Sequence, residues 1–176
     1  MAITKLDGAL IKPGTNVGQL NTLTVSSSVG IGTLVPTGSL HVVGTTTLQQ
    51  VLEKVSVSNT PVPVNLSFRV LSQGVRYYTV NNTAVWTINF VGSTTVSLND
   101  VMYIGQSISV VVMATNGTTA YYPYIHQIDG VTITPKWQSG ITMNQGNANG
   151  IDVYAYTIIK TANATFTVLA SQTKFA

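Results

Sequence analysis

The side chains able to hold or move charge are few: Asp7, Glu53, Asp100, Asp129, Asp152, His41 and His126, with eight Lys and Arg scattered along the chain. General acid–base catalysis brings such groups to one point. With a single glutamate, a carboxylate pair would have to come mostly from aspartates far apart in sequence. Cysteine is absent, which excludes disulfides, a thiolate nucleophile and a thiolate-held metal. No G-x-S-x-G, H-E-x-x-H or phosphate-loop pattern occurs. Gly30-Ile31-Gly32 is a G-x-G fragment without the third glycine and following helix of a dinucleotide site. The expectation is a protein with no catalytic residue, no cofactor and no bound metal.

Two groupings could bind a ligand. In His126-Gln127-Ile128-Asp129, a three-residue step along a strand places His126 and Asp129 on opposite faces. The favoured reading is an Asp129-Gly130 hairpin turn beside a strand histidine; the alternative, a metal site, would need ligands the sequence scarcely offers. Tyr121, Tyr122 and Tyr124, together with Trp137, could supply stacking faces for a sugar ring, since Tyr and Trp are frequent anchors of recognition surfaces. The competing reading places these rings in the core or at a subunit interface. With His126, they are the candidate ligand-binding residues.

The elements that must position these groups are β-strands. Only 7% of the 176 residues are charged, against roughly 25% in an average domain. Thr, Val, Ser and Asn take their place, and β-branched residues suit a pleated surface. The composition excludes a coiled coil. The longest apolar run, Val110 to Ala114, is far short of a membrane-spanning helix. Lys5 and Asp7 interrupt the opening residues, so no secretion signal is expected. The net charge of +3 is not clustered, so a nucleic-acid partner is not expected either.

Residues 1–50 contain no aromatic residue, whereas every Trp, Tyr and Phe lies from Phe68 onward. A stretch without aromatics is poorly equipped for a private core. This predicts an N-terminal attachment or trimerisation segment over 1–55 and a C-terminal domain over 56–176. The first has short extended pieces at Gln19–Val25, Val29–Thr33 and Leu40–Val43; a connector, helical turn or strand start follows at Gln49–Ser56. In the second, Val64–Val70 and Trp86–Phe90 alternate with period two. Ile108–Met113 reads as a strand buried on both faces. Further strands are expected at Gly130–Thr134, Ile151–Ile159 and Thr165–Leu169, with turns at Asn81-Asn82, Asn116-Gly117, Asp129-Gly130 and Gly146–Gly150. The expected fold is all-β: an antiparallel, jelly-roll-like β-sandwich preceded by an extended Gly/Thr-rich segment.

Val29-Gly30-Ile31-Gly32-Thr33, Pro36, Leu40-His41-Val42 and Gly44 together resemble an element that recurs in fibre and tail-appendage proteins of tailed bacteriophages, where it forms intertwined trimeric β-structure. Ile128-Asp129-Gly130-Val131, Lys136-Trp137-Gln138, Gly146–Gly150 and the stretch Ile151–Ala176 are similar to the C-terminal β-domain of phage virion proteins, those of cyanobacterial phages especially. The resemblance implies a homotrimeric particle-surface protein: a short fibre, a fibre adaptor or a capsid decoration protein. Its implied partners are itself, other virion proteins (capsid, neck or tail) and a host-surface glycan, with no nucleic acid and no membrane insertion. Val29, Gly30, Ile31, Gly32, Leu40 and Val42 are the implied trimer or attachment residues.

Overall fold

A computed structural model describes residues 25–176. The strand expected at Gln19–Val25 lies outside them except for its last residue. The chain divides into two compact units, Met1–Val51 and Leu52–Ala176.

In the first unit, β1 (Val29–Ile31) and β2 (Leu40–Val42) pair in parallel, with Val29 opposite Leu40 and Ile31 opposite Val42. The connection folds on local polar contacts: the Val35 amide donates to Thr33 Oγ1 at 3.1 Å and the Thr37 amide to His41 Nδ1 at 3.2 Å. Gly32 takes φ +74°, and a Cβ there would meet the Val43 carbonyl at 2.7 Å. None of residues 25–51 is buried.

The second unit begins with β3 (Val55–Ser58), β4 (Asn65–Arg69), β5 (Val75–Tyr78), β6 (Trp86–Val91) and helix α1 (Leu98–Val101). It continues with β7 (Ser107–Thr115), β8 (Pro123–Ile128), β9 (Val131–Ile133), β10 (Lys136–Trp137), a 3₁₀ turn (Gln138–Gly140), β11 (Ile151–Ala162) and β12 (Thr165–Phe175). The strands form a six-stranded sheet, β10-β12-β11-β7-β5-β3, and a four-stranded sheet, β4-β6-β8-β9. The period-two patterns decide which side chains point inward. Leu66 and Phe68 of β4, Trp86, Ile88 and Phe90 of β6, and Tyr154, Tyr156 and Ile158 of β11 are all buried. One core draws on both sheets: Trp86 meets Tyr154 edge-on at 5.8 Å, and Phe90 meets Tyr156 at 5.0 Å. Edge-to-face pairs add to simple area burial because ring quadrupoles attract in that geometry.

The pairing corrects the antiparallel, jelly-roll-like expectation. β3, β5 and β7 belong to one sheet, and β4, β6 and β8 to the other. Successive strands therefore cross between sheets, and every second strand returns in the same direction. The pairs β3–β5, β5–β7, β4–β6 and β6–β8 are all parallel. Pro61 and Pro63 sit in the β3–β4 connection, where a missing N–H prevents a ladder from continuing beside β3. Antiparallel pairing is confined to β7–β11, β11–β12 and β8–β9. The β8–β9 hairpin turns at Asp129 (φ +49°) and Gly130 (φ +81°), the two positive φ angles of a type I′ turn.

Two buried polar centres brace the connections. Lys160 Nζ donates to the carbonyls of Asn99 (2.6 Å) and Met102 (2.9 Å) at the end of α1. At the start of α1, the Asp129 carboxylate accepts from the Leu98 and Asn99 amides at 2.7 and 3.0 Å. Charges of these signs at these ends oppose the helix dipole. Asp152 is fully buried. It accepts from Asn116 Nδ2 (2.9 Å), the Asn147 amide (2.8 Å) and Gln172 Nε2 (2.9 Å), joining two loops to strand β12.

Candidate functional site

β8 carries one residue more than its neighbour β6. Trp86 faces Pro123 and Thr87 faces Ile125, so Tyr124 has no partner across the ladder. Such a bulge re-aims a side chain, and Tyr124 stands 67% exposed between the buried Pro123 and the exposed Ile125. The step also shifts the alternation, so that His126, rather than Ile125, turns inward.

His126 is 6% exposed. Its Nε2 lies 3.1 Å from the Tyr156 hydroxyl, and its ring meets Trp137 edge-on at 5.6 Å. Removal from water disfavours the charged ring and lowers its pKa to about 4, so the imidazole is neutral at pH 7. Burial likewise pushes the Tyr156 hydroxyl well above the ordinary range. Trp137 is placed by the β10–β12 pairing, in which it faces the buried Ala170, and its ring lies 6.2 Å from that of Tyr156.

A cleft of about 470 Å³ opens where the chain passes from β9 to β10. Tyr122, Tyr124, His126 and Trp137 supply its rings; Thr132, Thr134, Thr142 and Asn144 add hydroxyl and amide groups. No Asp, Glu, Lys or Arg lines it. Such a surface stacks on flat apolar faces and exchanges hydrogen bonds with neutral hydroxyls. The structure thus brings together four of the five expected ligand residues. Tyr121 lines a separate recess with Asn81, Thr83 and Thr118. The threonines and Asn144 escaped sequence reasoning because they come from β9, its exit and the segment after the 3₁₀ turn. The one signal available was the odd spacing between Pro123 and His126, which breaks period two.

The three aspartates of the second unit are engaged elsewhere. Asp100 accepts from Ser97 Oγ at 2.7 Å, Asp129 caps α1 and Asp152 ties two loops to β12. Among the described residues no group of three His, Asp or Glu is placed to hold a metal ion. The residues expected to make a trimer contact are split in exposure: Ile31 and Leu40 are exposed, whereas Val29 and Val42 are half-buried. Gly30 and Gly32 are needed within the chain itself, since a Cβ at either would meet the carbonyl of Thr33 or Val43.

No family model, curated protein or solved structure matches this chain.

Proposed function

We propose that this chain is a structural protein of a bacteriophage particle: a homotrimeric short fibre, fibre adaptor or surface decoration protein. Its N-terminal segment attaches and trimerises, and its C-terminal unit is a β-sandwich facing solvent. The observation that carries the reading is the state of residues 25–51. No residue there is buried, while Leu34 is fully exposed, Val35 is 75% exposed and Ile31, Leu40, Val43, Leu48 and Val51 also face outward. A two-stranded ladder of three-residue strands is not stable in water on its own. Covering its apolar side chains with those of identical segments supplies the missing burial, at about 25 cal/mol per Å² of apolar surface. The phage setting comes from the resemblance of residues 29–44 and 128–176. Light scattering coupled to size exclusion tests the trimer. A mass near three times 18.7 kDa is expected, and a monodisperse monomer at micromolar concentration overturns it.

A second reading, recognition of a host-surface glycan, is favoured by the uncharged aromatic cleft. Tyr124 is the discriminating residue, because it is exposed at a bulge whereas Trp137 also packs against Tyr156. On a glycan array, Tyr124→Ala is expected to abolish a signal given by the parent protein. Absence of any binding, or binding unchanged in Tyr124→Ala, removes this reading.

A further inference from the structure

One nitrogen of His126 is left without a partner. The side chain is 6% exposed and lines the cleft between β9 and β10. Its Nε2 is engaged by the Tyr156 hydroxyl at 3.1 Å. Among the described residues Nδ1 makes no hydrogen bond. Nor is it sealed in the core, where the enclosed side-chain atoms lacking a partner are Arg76 Nε, the Tyr78 hydroxyl and Trp86 Nε1. Nδ1 therefore opens on the cleft. Tyr156 fixes the tautomer. It is 1% exposed, and the one partner of its hydroxyl is His126 Nε2. An enclosed O–H without an acceptor is costly, so the hydroxyl donates to Nε2. Burial keeps the imidazole neutral, and its single proton then sits on Nδ1.

Building on the glycan reading above, we infer that His126 Nδ1–H is the donor that selects the ligand of this cleft, and that the ligand is a neutral sugar bearing an N-acetyl group. Nδ1–H donates and cannot accept. The rings beside it offer a ligand no acceptor: the Trp137 indole carries only an N–H, and Tyr156 is enclosed. A sugar hydroxyl seated here would accept from Nδ1 but find no acceptor among these rings for its own hydrogen. An acetamido carbonyl only accepts, so it matches the donor completely. Ile133 and Met143 line the same cleft while packing against the core, which gives the acetyl methyl an apolar seat. Thr132, Thr142 and Asn144 remain for the amide N–H and the sugar hydroxyls. No Asp, Glu, Lys or Arg lines the cleft, so an amino sugar or a sugar acid would be desolvated without a counter-charge. The volume of about 470 Å³ lies within the range of small-molecule sites.

Two measurements on the full parent chain test this. The chain has two histidines, His41 and His126, so a long-range proton–nitrogen correlation spectrum shows both rings, and His41→Asn assigns them. His126 is expected as the Nδ1–H tautomer; the Nε2–H tautomer overturns the donor. Saturation-transfer NMR then compares the methyl glycosides of N-acetylglucosamine, N-acetylgalactosamine and N-acetylmannosamine with those of glucose, galactose and mannose. In at least one matched pair the N-acetyl sugar is expected to bind several-fold more tightly, with the strongest saturation at the acetyl methyl and a shift of the His126 Nδ1 resonance. Hydroxyl sugars that bind as tightly as their N-acetyl partners overturn the inference and leave the glycan reading standing. Silence from all six sugars also overturns it, and silence on the glycan array as well removes both. Tyr156→Phe has no hydroxyl to leave unpaired, so His126→Phe is made in that background. It is expected to weaken N-acetyl-sugar binding several-fold relative to Tyr156→Phe alone. Unchanged affinity with an unchanged circular dichroism spectrum refutes the donor role; where the double variant does not fold, the tautomer and the matched sugars on the parent chain decide.

Discussion

Acidification should weaken this protein through His126. In the folded chain its pKa is lowered to about 4 by burial, against an ordinary 6.5. The groups in contact with the ring, the Tyr156 hydroxyl and the Trp137 indole, carry no charge in this range. Between pH 6.5 and about 4 the unfolded chain binds a proton here that the folded chain does not. The stability is therefore present in full above pH 6.5 and is lost progressively as pH falls through 4. At 1.36 kcal/mol per pH unit, the loss is about 3 kcal/mol. Urea unfolding followed by circular dichroism at steps from pH 7.5 to 4, at fixed protein concentration, measures it. His126→Phe removes the titrating group but leaves the Tyr156 hydroxyl without its partner, a cost of about 1–3 kcal/mol at every pH. The informative quantity is thus the slope with pH and not the absolute stability. Repeating the comparison in a Tyr156→Phe background removes the orphaned hydroxyl. Carboxylates that titrate near pH 4 contribute equally to parent and variant, so they cancel. If His126→Phe loses as much stability as the parent between pH 6.5 and 4, the reasoning is refuted.

Three further outcomes are expected. Asp152→Ala leaves Asn116, the Asn147 amide and Gln172 without their common acceptor and should cost about 3 kcal/mol or more in chemical denaturation; a loss below 1 kcal/mol would contradict the buried hub. Lys160→Met keeps the side-chain length but removes the donor to the Asn99 and Met102 carbonyls; a loss of about 2 kcal/mol is expected, with faster amide exchange localised to α1. Phe90→Ala opens a cavity against Phe68 and Tyr156 and should cost about 3–5 kcal/mol, read as a lowered urea midpoint with an unchanged slope.

The strands that alternate cleanly were legible. Leu66 and Phe68, then Trp86, Ile88 and Phe90, are apolar at every second position, and all five are buried. The Asp129-Gly130 turn was legible too, because few dipeptides accept two positive φ angles. By contrast, β5 went unseen: Val75-Arg76-Tyr77-Tyr78 has no alternation, since Arg76 lies on the inward face with its guanidinium 5.0 Å from the centre of the Tyr78 ring. Helix α1 also escaped notice. A four-residue helix has no periodicity to detect, and it rests on Asp129 and Lys160, supplied from distant parts of the chain. The Ile108–Met113 run has the composition of a strand covered on both faces, but within the second unit only the face carrying Val110 and Val112 meets the core.

Sequence alone determined that this is a β-protein, that its N-terminal fifty residues lack aromatic side chains, and which residues of its alternating strands turn inward. Those are properties of composition and of a period-two backbone, and both are local. Tertiary structure decided that successive strands cross between two sheets, so that most neighbours are parallel. It decided that a bulge at Tyr124 turns His126 inward. Alternation states that a face is buried; it does not state which distant strand completes the hydrogen bonds or what lies on the other side. Those are long-range choices, settled only when the whole chain has packed.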